Sequence, residues 1–78
     1  MNAAKTPAEI YYQAFQNKIN RVREDVTDFL CHRHPATTSQ LAYLLGHKYE
    51  IVDLVCRELL DEDQIKRGWR AGSACYFI

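Results

Sequence analysis

The chain has 78 residues, of which 47% are hydrophobic and 12% aromatic, and its ten basic residues balance ten acidic ones. This composition predicts one small folded domain and excludes a disordered chain, while the balanced charge excludes a broad basic surface. Any contact with nucleic acid must therefore come from a local basic patch. The three cysteines are widely spaced, and we find no signal segment and no long apolar run. We therefore expect a reduced cytoplasmic protein without a membrane-spanning helix.

A long N-terminal helix is predicted from Thr6 onward. Thr6 and Glu9 can form a capping box, and Pro7 suits the first helical position. Apolar residues then recur in steps of three and four through about Leu30, which predicts one amphipathic helix that ends before Pro35. The residues of this stripe are Tyr12, Phe15, Ile19, Val22, Val26 and Phe29.

Two shorter helices are predicted next. Thr37 and Gln40 form a second capping box, and Gly46 can end that helix in the left-handed conformation. A third helix is predicted to begin three residues later and to fade at the acidic run of residues 61–63. The apolar face that it turns toward the other helices comprises Val52, Cys56 and Leu59.

The C-terminal segment predicts a β-hairpin. QIKRGWR and ACYFI are rich in aromatic and β-branched residues and are separated by Ala71-Gly72-Ser73. The predicted fold is mainly α with a small β-hairpin (α+β), in the order helix, helix-turn-helix, hairpin.

This order and these spacings resemble the winged helix-turn-helix superfamily of bacterial transcriptional regulators. The similarity includes the multiple-antibiotic-resistance type and the small fimbrial phase-variation regulators. The resemblance rests on DVTDFL, TTSQLAYLLG, YEIVDLVCRELLDED and QIKRGWRAGSACYFI, with Leu41, Leu45-Gly46, Val52, Leu59 and Ile65 in the family pattern. It implies a winged helix-turn-helix domain over residues 22–78, preceded by an N-terminal helical extension over residues 1–21.

The resemblance also implies a DNA-contacting surface, because the third helix of such regulators lies in the major groove. Carried over by position, the base contacts would come from Tyr49, Glu50, Asp53 and Arg57, and the phosphate contacts from Thr37, Thr38, Lys48, Lys66, Arg67 and Arg70. Glu50 and Asp53 depart from the Ser, Thr or Arg that is usual there. A carboxylate can accept from a cytosine amino group, but two of them repel phosphates.

The predicted wing combines basic residues with Trp69, a mixture that can hold a DNA backbone or a minor groove. The alternative is a solvated hairpin whose Trp69 covers a thin core. Ile51 and Leu54 add an apolar strip to the third helix, which could pack against the first helix or the wing. If it does not, the fold could instead serve as an adaptor or inhibitor that binds another protein through this acidic and apolar face.

Tyr12, Phe15 and Ile19 extend the stripe of the first helix beyond the predicted domain. A projecting apolar stripe is unstable in water, so we predict a homodimer interface there. The alternative is a helix that breaks near Asn17 and folds back on its own domain.

Catalysis, metal binding and a cofactor are not expected. The segment Cys31-His32-Arg33-His34 lacks the second ligand pair that zinc requires. The chain also has neither a glycine-rich phosphate loop nor a Gly-x-Ser-x-Gly motif. Two functions remain: a small DNA-binding regulator of a bacterium, phage or mobile element, and a protein-binding module without DNA affinity.

Overall fold

The computed structural model describes residues 6–32 and 35–78, which form three α-helices and a two-stranded antiparallel sheet. The helices are α1 (Pro7–His32), α2 (Thr38–Leu45) and α3 (Tyr49–Asp61), and the strands are β1 (Lys66–Arg70) and β2 (Ser73–Phe77). The predicted mainly α fold with one β-hairpin is therefore confirmed. Arg33 and His34, the end of the predicted polar segment, lie outside the described residues.

The first helix begins with the predicted capping box. The Thr6 N–H donates to Glu9 Oε2 at 3.3 Å, and the Glu9 N–H donates to Thr6 Oγ1 at 3.2 Å. From there α1 continues for 26 residues, about 40 Å at about 1.5 Å per residue. The alternative of a break near Asn17 is wrong, because the helix is uninterrupted at that residue.

The core lies between α1 and α3. Ile19, Val22, Val26 and Leu30 of α1 are buried there, together with Val52, Val55, Cys56 and Leu59 of α3. Each such apolar side chain contributes about 1.5–3 kcal/mol when it leaves water. Ile19 corrects the sequence prediction: it is only 3% exposed, because the packing of α1 extends one turn beyond the expected boundary at residue 22. It is therefore not available to a partner.

Both ends of α2 are capped, and the turn that follows it contacts α1. Thr37 and Gln40 form the predicted capping box, and Gly46 has the predicted left-handed conformation at φ 71°. The next residue then reaches back to α1, since His47 Nε2 lies 2.8 Å from Asp25 Oδ2. This contact holds the start of α3 against the first helix.

The hairpin turn is shorter than the sequence indicated. Ala71 and Gly72 both have positive φ, at 51° and 79°, which is the two-residue type I′ turn that matches the twist of paired strands. Ser73 is therefore not part of the connection and pairs with Arg70 in the sheet.

The hairpin is also attached to the segment that precedes α2. Ala36 and Tyr76 form an antiparallel bridge, with N–H to O distances of 3.1 and 2.8 Å. Both residues are buried. This bridge sets the hairpin beside the N-terminus of α2, and no local sequence pattern indicated it.

An ion cluster connects α1 to the C-terminal end of α3. Arg23 Nη1 lies 3.2 Å from Glu58 Oε2 and 2.9 Å from Glu62 Oε2. The hydrogen bond from Arg23 lowers the pKa of Glu62, and the same bond raises the pKa of Arg23.

The pH dependence of stability should report this cluster. A carboxyl group whose pKa is depressed in the folded state stabilises above its ordinary pKa and loses that contribution as the pH falls through the folded value. We therefore expect Glu62→Gln to lower the Tm at pH 7, with the difference from wild type disappearing as the pH falls below the ordinary value of 4.5. Thermal unfolding followed by circular dichroism at pH 3 to 7 measures this.

The matched control is Glu24→Gln, an exposed glutamate on α1. It should leave the Tm close to wild type throughout. An equal loss of Tm at pH 3 and pH 7 in Glu62→Gln would contradict the role of the Arg23 pair.

The three free cysteines should differ in reactivity. Burial, assisted by the nearby charge of Asp53, raises the pKa of Cys56 to about 12, and Cys75 is also buried, whereas Cys31 is exposed. The thiolate is the reactive form, so one thiol should react rapidly with an aromatic disulfide reagent in the folded protein and three in denaturant. Cys31→Ser should abolish the rapid phase, and a rapid phase that survives this change would contradict the buried positions.

Candidate nucleic-acid interface

Six of the ten predicted DNA-contacting residues meet in one open cleft of about 540 Å³. The cleft lies between the N-terminus of α2, the outer side of α3 and the hairpin. The six are Thr37, Thr38, Tyr49, Asp53, Arg57 and Arg67, and Ser39, Ser73, Ala74 and Tyr76 complete its lining. Three elements that are distant in sequence thus present the predicted residues on one face.

The other four predicted residues do not line the cleft. Lys48 is the N-cap of α3 and has no side-chain capping bond, and Glu50 lies in the first turn of that helix. Lys66 and Arg70 are the two end residues of β1. All four are exposed.

At the N-terminus of α2, the two threonines differ in their surroundings. Thr37 is engaged in its capping box, where its N–H donates to Gln40 Oε1 at 2.9 Å and its Oγ1 accepts from the Gln40 N–H at 3.2 Å. Thr38 is only 7% exposed, so a phosphate contact from its side chain is not available in this structure. The expectation for Thr38 is wrong because the first helical position of α2 faces inward.

Ser39 is the residue that the sequence analysis missed. It is exposed, lies in the first turn of α2 and lines the cleft. The N–H groups of a first helical turn and the positive end of the helix dipole attract anions, and a serine hydroxyl adds a donor. Its place in the TTSQ capping segment, two residues after the N-cap, was the available signal.

On α3, one of the two acidic residues among the predicted base contacts, Asp53, is paired with an arginine. Asp53 Oδ2 lies 3.1 Å from Arg57 Nη2, one helical turn away. The Asp53 side chain is 28% exposed and the Arg57 side chain 73% exposed. Arg57 therefore neutralises part of the Asp53 charge, and both residues line the cleft.

The hairpin presents a cation beside an aromatic ring. The guanidinium carbon of Arg67 lies 5.9 Å from the centre of the Trp69 ring. Trp69 is 72% exposed, so the alternative that it covers the core is wrong. A large exposed indole beside arginine is suited to stack on or insert against a ligand.

The register of the hairpin directs Arg67 toward the cleft. Arg67 pairs with Tyr76, and Tyr76 is the residue bridged to Ala36. Gly68 lies between Arg67 and Trp69, and a Cβ there would come within 3.2 Å of the Phe77 ring. The glycine therefore leaves room for the ring on the other face of the hairpin.

The apolar strip on α3 divides into two parts. Ile51 is partly buried and packs against the core, as the packing alternative predicted, whereas Leu54 remains 38% exposed. Tyr43 and Leu44 of α2 are also exposed. None of these three exposed side chains lines the cleft.

Neither a metal cluster nor a spanning helix is found in the described part of the chain. Across residues 6–32 and 35–78, no three His, Cys, Asp or Glu side chains are grouped as metal ligands. Within the same ranges, every helix is too short or too polar to cross a membrane.

Comparison with protein-family models, with curated protein sequences and with solved structures gives no match for this chain.

Proposed function

We propose that this chain is a DNA-binding winged helix-turn-helix protein that regulates transcription in a bacterium, phage or mobile element. The observation that supports the proposal most strongly is the convergence of α2, α3 and the hairpin on one cleft. In this interpretation α2, the Gly46 turn and α3 are the helix-turn-helix, and β1 and β2 are the wing. Arg57 of α3 and Arg67 of β1 both line this cleft.

The exposed side of α3 supplies the proposed base contacts. The major groove admits an α-helix, and a forked guanidinium binds guanine O6 and N7. Arg57 is exposed and pairs with Asp53 at 3.1 Å, an interaction that favours one orientation of its guanidinium. Tyr49, half-exposed at the start of α3, can contact a base edge or the adjacent sugar.

Phosphate contacts are proposed on either side of α3. Ser39 and the first turn of α2 offer N–H and hydroxyl donors, while Lys66, Arg67 and Arg70 extend along the wing. Trp69 adds an apolar surface between these cations.

The local charge supports this arrangement although the chain is neutral overall. Among the predicted contact residues, the basic side chains are Lys48, Arg57, Lys66, Arg67 and Arg70, against the acidic Glu50 and Asp53. Glu58 and Glu62, which would otherwise oppose DNA, are paired with Arg23 at the other end of α3. Of these cations, Arg57 and Arg67 line the cleft, and Lys48, Lys66 and Arg70 are exposed outside it.

The first test is binding to random-sequence duplex at several salt concentrations. Each phosphate contact contributes about −0.9 to the slope of log affinity against log salt, so three to five contacts predict a slope of roughly −3 to −5. Fluorescence anisotropy between about 50 and 200 mM salt measures it. Absence of binding at the lowest salt would overturn the proposal.

The second test concerns the wing. Arg67→Ala combined with Arg70→Ala should weaken binding to all sequences similarly and reduce the magnitude of the salt slope by about two, because phosphate contacts carry little sequence information. Arg21→Ala removes an exposed cation from the middle of α1, outside the cleft, and should leave the slope unchanged. Equal slopes in the wing variant and wild type would exclude the wing from the interface.

The third test concerns α3. Arg57→Ala should reduce discrimination between a selected site and random duplex by about 1–3 kcal/mol, the contribution of one bidentate base contact. Asp53→Asn should raise non-specific affinity, since it removes a negative charge near phosphate, and should lower discrimination, since Arg57 loses its support. Asp61→Asn is the control, because Asp61 is an exposed acidic residue at the C-terminal end of α3 and does not line the cleft. It should leave discrimination intact.

A protein-binding adaptor or inhibitor is the second candidate. The exposed apolar side chains of Tyr43, Leu44 and Leu54 favour it. In that case DNA binding would be absent at low salt, and Glu50→Gln with Asp53→Asn would weaken a complex with a basic protein surface.

A further inference from the structure

The N-terminal half of α1 projects from the domain. Every residue from Thr6 to Phe15 is exposed. Tyr11, Tyr12 and Phe15 are 77%, 67% and 46% exposed, although aromatic side chains of this size are usually well buried. Helical structure here thus carries an apolar surface that the domain itself does not cover.

This surface continues the stripe that forms the core. Tyr12 and Phe15 precede Ile19 and Val22 in alternating steps of three and four, the heptad spacing of helices that pair along a seam. At about 100° per residue, Ile10 lies on the opposite side of the helix, roughly 160° from the seam. The seam is therefore covered by α3 from Ile19 onward and uncovered before it.

We propose that the uncovered seam binds the same segment of a second copy of this chain, with the two helices antiparallel. A parallel partner would continue along the seam past Ile19, into the space that α3 of the same chain already fills. An antiparallel partner runs the other way, and its own domain lies beyond the N-terminal end of α1. Only the antiparallel pair fits the uncovered length.

The register follows from matching the two apolar positions. Tyr12 packs against Phe15 of the partner subunit, and the reverse contact is equivalent by two-fold symmetry. In an antiparallel pair, each of the two heptad positions that flank the seam faces the same heptad position of the partner. Lys18 therefore lies beside the partner's Tyr11, and Glu9 lies beside the partner's Gln16. A cation thus meets an aromatic ring and a carboxylate meets an amide, without a pair of like charges.

The surface area buried between the two helices limits the affinity of the proposed dimer. Three aromatic side chains of about 150–250 Å² each, at their observed exposures, offer roughly 400 Å² per copy. Flanking side chains bring the total to about 1,000 Å² for the two copies, the lower end of specific interfaces. The dimer is therefore expected to dissociate on dilution through the micromolar range.

Sedimentation equilibrium of the full chain between about 1 and 500 μM tests the association, with the concentration range chosen for an interface of this size. Wild type should change from monomer to dimer, and Phe15→Glu should remain monomeric at concentrations where wild type is dimeric. Ile10→Glu places the same charge on the opposite side of the same helix and should dimerise like wild type. Tyr12→Glu repeats the seam test should Phe15→Glu lose its helical circular dichroism signal.

Monomeric wild type throughout, or equal effects of Ile10→Glu and Phe15→Glu, would overturn the proposal. The result is separable from the proposed DNA function, because the seam shares no residue with the cleft. A monomer that binds DNA would reject only the dimer, and a dimer without DNA affinity would reject only the DNA function.

A spin label on Cys31, the exposed one of the three cysteines, tests the orientation. In the antiparallel register the two labels are separated by about 35 helical rises, or roughly 50 Å. In a parallel pair they would lie within about 25 Å, since helix axes in contact are about 8–10 Å apart and the label linkers add the rest. Double electron–electron resonance on the dimer distinguishes the two, and the shorter distance would overturn the antiparallel arrangement.

Discussion

The packing of α1 on α3 is the contact on which every other feature of this small domain depends. It buries a continuous layer of branched and apolar side chains, from Ile19 to Leu30 on one helix and from Val52 to Leu59 on the other. Domains of this length bury only about 60% of the surface of the unfolded chain, so one such layer supplies most of the stabilising burial. Two polar contacts fix its ends: Arg23 with the glutamates of α3, and His47 with Asp25.

The cleft follows from a second, smaller attachment. A two-stranded hairpin alone is marginal in water, but the Ala36–Tyr76 bridge binds this one to the segment before α2. The same bridge places Arg67 opposite Ser39 and the first turn of α2, with Arg57 of α3 on the third side. A basic and hydroxyl-rich concavity therefore arises in a chain whose total charge is zero. How charge is distributed over the surface, and not its sum, decides which ligand such a face can hold.

The two halves of α1 have different surroundings. Its C-terminal half is part of the core, while its N-terminal half carries the same heptad stripe into solvent. A helix that is capped at Thr6 and anchored from Ile19 onward holds this stripe rigidly. Preorganisation of this kind lowers the entropy lost on association and therefore favours pairing through a short seam.

The local features of the chain were determined by the sequence itself. The capping boxes at Thr6 and Thr37, the left-handed Gly46 and the alternating stripe of α1 act over a few residues, so their physics is complete in the sequence. The pairing of Asp53 with Arg57 also follows from a spacing of four on one helix.

Only the tertiary structure decided which side chains remained available. Thr38 and Ile19 are buried because distant elements pack over them, whereas Ser39 and Trp69 stay exposed because none does. The same packing brought the start of α2, the middle of α3 and the hairpin to one cleft. Burial depends on contacts between residues far apart in the chain, and a single sequence read along its length does not contain those contacts.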